Sequence, residues 1–196
     1  MFQAEYRLRE GFILDRQYAF LGGFQPQDKE SAILDVVRVF EEAGIPYAIM
    51  GGVALQVHSR EPRTTIDLEI ALKSKSDVPT EALLAAGFEF LGDDSWKAPG
   101  LVPKEQRTVV RFFSDELTSE AVDYAGIVTL GGVAILVVSV RDLVILKLAA
   151  AIEPGRRKSK RIRDYGDIVG LLEEHPSLWK RIPGIEAKLA AVWEML

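Results

Sequence analysis

Cysteine is absent from this 196-residue chain, which removes disulfide scaffolds, thiolate zinc sites and cysteine nucleophiles together. Histidine occurs only as His58 and His175, in unrelated sequence surroundings. Neither a serine–histidine constellation nor a zinc site can be built from them. No apolar run approaches the ~20 residues that a membrane-spanning helix requires. The opening MFQAEYRLREG mixes both charge signs and does not read as a secretory signal, so a cytoplasmic location is expected. A large excess of positive charge is also missing: the net charge is −5, which excludes nucleic-acid binding by overall charge.

What is present is an ordinary globular composition, 48% hydrophobic and 27% charged, enough to bury one core without covalent staples. The positive charges are nevertheless clustered. Arg156, Arg157, Lys158, Lys160, Arg161 and Arg163 fall within eight positions. Such a patch holds phosphates even in an acidic protein, or else is a solvated loop and first helical turn.

Residues 47–72, YAIMGGVALQVHSREPRTTIDLEIAL, organise the chain. Tyr47-Ala48-Ile49-Met50 is an apolar run of strand length, Gly51-Gly52 breaks it, and residues 53–58 wind as a helix. Residues 64–72 are rich in β-branched and apolar side chains and read as a second strand. Asp67 and Glu69, two apart on it, leave the same face. Two unpaired carboxylates side by side repel, and a divalent cation removes that conflict. The glycine pair at a helix start lets a phosphate approach free backbone N–H groups.

Gly51-Gly52 followed by Arg63, Thr65, Asp67 and Glu69 resembles the core motif of the nucleotidyltransferase (polymerase β-like) superfamily, and within it the AbiEii-type toxin nucleotidyltransferases and their minimal relatives. The resemblance runs over about residues 32–172. It implies an α+β fold, a mixed sheet flanked by helices with a C-terminal helical segment. It also implies transfer of NMP from an NTP to a hydroxyl of RNA or protein, with Mg²⁺ or Mn²⁺, as the toxin of a toxin–antitoxin or phage-defence pair. A cognate antitoxin and a homo-oligomer are the further partners it implies. In the family a third carboxylate comes from a later strand, and Asp123, in Ala121-Val122-Asp123-Tyr124, matches that context; the other reading is an aspartate ending a strand. By the same likeness Asp67, Glu69 and Asp123 are the metal ligands and catalytic residues. Gly51, Gly52, Arg63, Thr65 and Lys147 are the nucleotide-binding ones, Lys147 because D-L-x-x-x-K-L-x-A resembles the family's helix after the catalytic sheet. Two departures, Glu69 where aspartate is usual and Val53 where many members carry serine, leave a second reading: a catalytically weak protein that binds nucleotide or a partner.

The remaining chain divides into an N-terminal arm over 1–27, packing on the core or a partner subunit, a core over 28–138, and a helical region over 139–196. Expected helices are 28–43, 76–86, 139–152, 161–172 and 183–196, the last anchored by Leu189, Val192 and Trp193. Expected strands are 88–91, 108–113 and 120–124, with a hairpin or two short buried strands over 127–138, broken by Gly131-Gly132. Residues 92–104 read as a loop holding Trp96. Lys147 in its apolar helix needs a negative partner or snorkels to the surface. Asp164 and Asp167 share one helix face, either to complete the site or to pair with Arg161 and Arg163.

Overall fold

The computed structural model describes residues 2–24, 28–101, 103 and 106–196. The helices are α1 (Phe2–Leu21), α2 (Lys29–Ala43), α3 (Gly51–His58), α4 (Thr80–Ala85), α5 (Glu116–Asp123), α6 (Val140–Ile152), α7 (Lys158–Glu174), α8 (Leu178–Arg181) and α9 (Ile185–Glu194). The strands are β1 (Tyr47–Met50), β2 (Leu68–Leu72), β3 (Glu89–Gly92), β4 (Ser95–Lys97), β5 (Val109–Phe113), β6 (Gly126–Leu130) and β7 (Val133–Val137). They form one sheet in the order β3-β4-β5-β2-β1-β7-β6. The sheet is mixed: β2 pairs antiparallel with β1 and parallel with β5, and β1 pairs parallel with β7.

Strand alternation gives the centre of this sheet two different faces. Tyr47, Ile49, Ile70, Leu72, Val110 and Phe112 share one face and are all buried. Helix α2 covers it, with Phe40 against Tyr47 at 5.7 Å and against Phe112 at 5.5 Å. The register places Met50 opposite Glu69, and Glu69 beside Arg111, so these three leave the other face. A buried apolar face behind and a charged face in front is the frame of the site.

Local chemistry explains where elements depart from the sequence expectation. The expected strand over 120–124 is instead the end of α5. Asp115 caps it, accepting from Thr118 N at 2.9 Å, and Thr118, Ala121 and Val122 bury at helical spacing. The strand expected from residue 64 enters the ladder only at Leu68. The helix expected over 76–86 is a capped 3₁₀ turn, Lys75–Asp77, followed by α4 after Pro79. The expected loop after Gly92 holds β4: Asp93 and Asp94 adopt positive φ (48° and 56°) as the two-residue turn of a hairpin, and Trp96 is buried in β4. Residues 102 and 104 of that loop lie outside the described residues, as do 1 and 25–27 of the arm. Gly131 and Gly132 turn the β6–β7 hairpin as expected. Trp193 is 63% exposed, so α9 is anchored by Ile185, Leu189 and Val192 instead. The two histidines meet: His175 Nε2 lies 3.1 Å from the His58 carbonyl.

The N-terminal segment is a single helix seated on the core by Leu8 and Phe12. Gly11 is what lets it come close, since a Cβ there would overlap the Gln56 side chain of α3. Beneath α1 lies a buried polar network. Asp15 pairs with Lys29 at 2.5 Å and accepts from Gln56 Nε2 at 3.2 Å and from Thr65 N at 2.8 Å. Lys29 also donates to the Thr65 carbonyl, and Gln56 to the Arg63 carbonyl. Burial pulls the Lys29 ammonium below its usual pKa, with the Asp15 charge opposing. The network satisfies the backbone of the segment 63–65, which belongs to no strand.

Candidate active site

A cleft opens above Glu69 with two lobes of about 470 Å³ each. Both are lined by Glu69, Arg111, Lys147, Arg156, Lys160 and Asp164. The first lobe adds Arg63, Thr65, Asp67, Arg157 and Arg163 and is strongly cationic. The second adds Met50, Phe113, Leu117, Leu143 and Leu146 together with Asp115 and Glu153, and is mixed in character.

Glycine conformation decides how the floor is built. Gly51 has φ +63°, and a Cβ on it would overlap Glu69 Oε2; one on Gly52 would overlap Thr65 Oγ1. The glycine pair therefore admits the Glu69 carboxylate and the Thr65 hydroxyl against the start of α3. Burial pushes the Glu69 carboxyl above the usual glutamate range; the Lys147 charge opposes this and the Asp67 charge adds to it. Asp67 pairs with Arg111 at 3.1 Å.

The helical wall is tied to the floor by buried ion pairs. Asp167 accepts from Arg63 Nε at 2.7 Å and Nη2 at 2.6 Å, and from Lys147 Nζ at 2.6 Å. Lys147 also lies 3.7 Å from Asp164, which Arg156 holds at 2.5 Å. Arg161 is spent on α6 and α9, donating to the carbonyls of Ala151, Glu153 and Met195. That leaves Arg157, Lys160 and Arg163, which have no ion-pair partner among the described residues and line the first lobe.

No family model and no curated protein matches this chain. Solved structures do. An antigenic nucleotidyltransferase-like protein from Paracoccidioides brasiliensis aligns with TM-score 0.55 at 18% identity, over 83% of this chain and 92% of that one. The chain has the nucleotidyltransferase fold. Two further structures lie below TM-score 0.5 and add nothing to that statement. ANT(2'')-Ia in complex with adenylyl-2''-tobramycin aligns at 0.49, with 15% identity over 85% and 98% of the two chains. The lincosamide antibiotic adenylyltransferase LnuA, lincomycin-bound, aligns at 0.45, with 13% identity over 72% and 94%.

Within the nucleotidyltransferase fold, Gly52, Arg63, Thr65, Asp67, Glu69 and Lys147 converge on the first lobe, and Gly51 lines the second. Asp123 does not join them. It ends α5, 57% exposed, paired with Lys73. Lys73 follows the far end of β2, six residues or roughly 20 Å from Asp67 at the strand rise. The motif context that singled out Asp123 presumed a strand, and capping by Asp115 makes it a helix. Lys147 is buried, as its apolar helix implied, but its partners are Asp164 and Asp167, and Arg63 shares Asp167 with it. Asp164 and Asp167 thus pair with neither Arg161 nor Arg163. Arg111 went unremarked in the sequence, although a lone charge in Val-Val-Arg-Phe-Phe was the available signal.

Proposed function

We propose that the cleft binds an NTP and transfers its NMP to a hydroxyl of an RNA or protein acceptor. What carries the reading is Asp67 and Glu69 together in one lobe with the uncommitted cations Arg157, Lys160 and Arg163. The donor set fits one Mg²⁺ or Mn²⁺: two adjacent carboxylates, with water and substrate phosphates completing the shell. It does not fit a second ion. No group of three or more acidic or histidine side chains suited to a metal occurs among the described residues, and Arg111 sits beside Asp67 where another carboxylate would be needed.

Asp67 and Glu69 would hold that ion, which when bound supplies Lewis-acid polarisation of the phosphoryl oxygens. The chain's own residues do the rest. Arg157, Lys160 and Arg163 offset the β- and γ-phosphate charge, and Arg111 can exchange Asp67 for a phosphate oxygen. The acceptor approaches through the second lobe. Its oxygen bonds to the α-phosphorus, the bond to the bridging oxygen breaks, and pyrophosphate leaves with that electron pair. The hydroxyl proton is released to water as the new bond forms. Lys147 and Arg63 act one step back, fixing α7 through Asp167.

The test is transfer of label from each α-labelled NTP into total RNA and cell protein, with Asp67→Asn alongside. Label entering one of them with the wild type alone supports transfer, and full activity in Asp67→Asn overturns it. Growth arrest on induction, abolished by the same substitution, would add the toxin role. A second reading, nucleotide binding without transfer, is favoured by the Asp67–Arg111 pair; NTP binding without incorporation would select it.

A further inference from the structure

The charged site explains where phosphates would go but not why the first lobe carries two large apolar side chains at its mouth. Tyr18, from α1, and Ile66 are each 62% exposed and both line that lobe. The Tyr18 hydroxyl and ring have no partner among the described residues, whereas the aromatic rings of Phe40, Tyr47 and Phe112 pack against one another at tilted angles in the core. An amphipathic ring held in water beside a cationic pocket leaves apolar area uncovered, and an aromatic heterocycle would cover it.

The position of this ring is enforced from below. Asp15 lies one helical turn before Tyr18 on α1, hence on the same side of the helix. Its carboxylate is almost buried and is held by Lys29, Gln56 and the Thr65 N–H. A charged network of this kind is costly to desolvate and contributes little net stability. What it does achieve is registration: it locks the last turns of α1 to the backbone of residue 65. Tyr18 and Ile66 are thereby set together, and Ile66 in turn adjoins Asp67.

We infer that Tyr18 and Ile66 form the nucleobase platform of this site, with the base stacked on the Tyr18 ring and its phosphates directed toward Lys160, Arg157 and Arg163. The inference rests on the nucleotide reading above and adds that α1 is part of the binding site. Stacking on an aromatic side chain is sequence-tolerant, because every base presents a π-face. The platform therefore binds purine and pyrimidine nucleotides alike.

Calorimetric titration with Mg²⁺ present separates the two halves of the ligand. Each of the four NTPs and inorganic tripolyphosphate would be titrated into the wild type, Tyr18→Ala and Tyr18→Phe. Tyr18→Ala should weaken NTP binding by about 5- to 150-fold, the range for loss of one stacked base, and leave tripolyphosphate unchanged. Tyr18→Phe, which keeps the ring, should bind NTP like the wild type. Equal loss for NTP and tripolyphosphate, or no loss for either, overturns the platform while the phosphate site stands. Binding of neither ligand by the wild type overturns the nucleotide reading and the platform with it. Unchanged NTP affinity with loss of a dimer in Tyr18→Ala would assign the ring, with the exposed Phe20 and Leu21, to contact with a second copy instead. Because Tyr18 is mostly exposed, a thermal midpoint like that of the wild type is the expected check on folding.

Discussion

Replacing Asp167 by asparagine tests the ion clamp that fixes α7 over the sheet. The carboxylate takes three charge-assisted hydrogen bonds, two from Arg63 and one from Lys147, and its side chain is 7% exposed. Asparagine removes the charge and turns an N–H₂ donor toward cationic donors. Removing one partner of a buried pair costs about 3–5 kcal/mol. Lys147 would keep Asp164 at 3.7 Å as a fallback, which argues for the lower end, about 3 kcal/mol. In a chain of this size that is a fall in Tm of about 6–12 °C. The sign of the pH dependence follows from the carboxyl itself. Burial pushes its pKa up, but the Arg63 hydrogen bonds and the Lys147 and Arg63 charges prevail and hold it below the ordinary aspartate value of 3.8. A depressed native pKa stabilises the fold above the unfolded pKa, and that contribution is lost as pH falls through the native one. The gap between wild type and Asp167→Asn should therefore be full at neutral pH and close only below about pH 3.8. Scanning calorimetry and urea midpoints at constant m would measure it. A Tm within ~2 °C of wild type at neutral pH, or a gap that ignores acid, refutes the clamp.

Gly51→Ala should cost about 1–2 kcal/mol for the left-handed backbone and expel the Glu69 carboxylate from its seat. Urea unfolding reads the first effect and label transfer the second; an active, equally stable variant would contradict the packing described. Asp123→Asn should leave nucleotide binding and transfer at wild-type levels, and lose at most ~1 kcal/mol with its exposed Lys73 pair. Loss of Mg²⁺-dependent transfer in that variant would return Asp123 to the site.

How much was legible in advance follows the range of the forces involved. Short-range pattern carried the hairpin at Gly131-Gly132, the helix over 139–152, and the R-x-T-x-D-x-E stretch, whose Arg63, Thr65, Asp67 and Glu69 line one lobe with Gly52. It failed at residues 120–124, where β-propensity and apolar flanks pointed to a strand. A cap at Asp115 and burial on one helical face outweighed them. That single error also misplaced the third carboxylate.

The amino-acid order by itself determined the composition class, the two carboxylates two residues apart, the glycine pair and the density of positive charge before α7. Each is a property of neighbours along the chain. Only the tertiary structure decided which charges neutralise one another: Asp167 with Arg63 and Lys147, Asp164 with Arg156, Asp67 with Arg111. It also decided that Tyr18, far upstream, stands at the mouth of the cleft. Ion pairing between residues as far apart as Arg63 and Asp167 depends on sheet register and helix docking, which no local pattern encodes. The cations left over once those pairs have formed, Arg157, Lys160 and Arg163, are the ones available to a ligand.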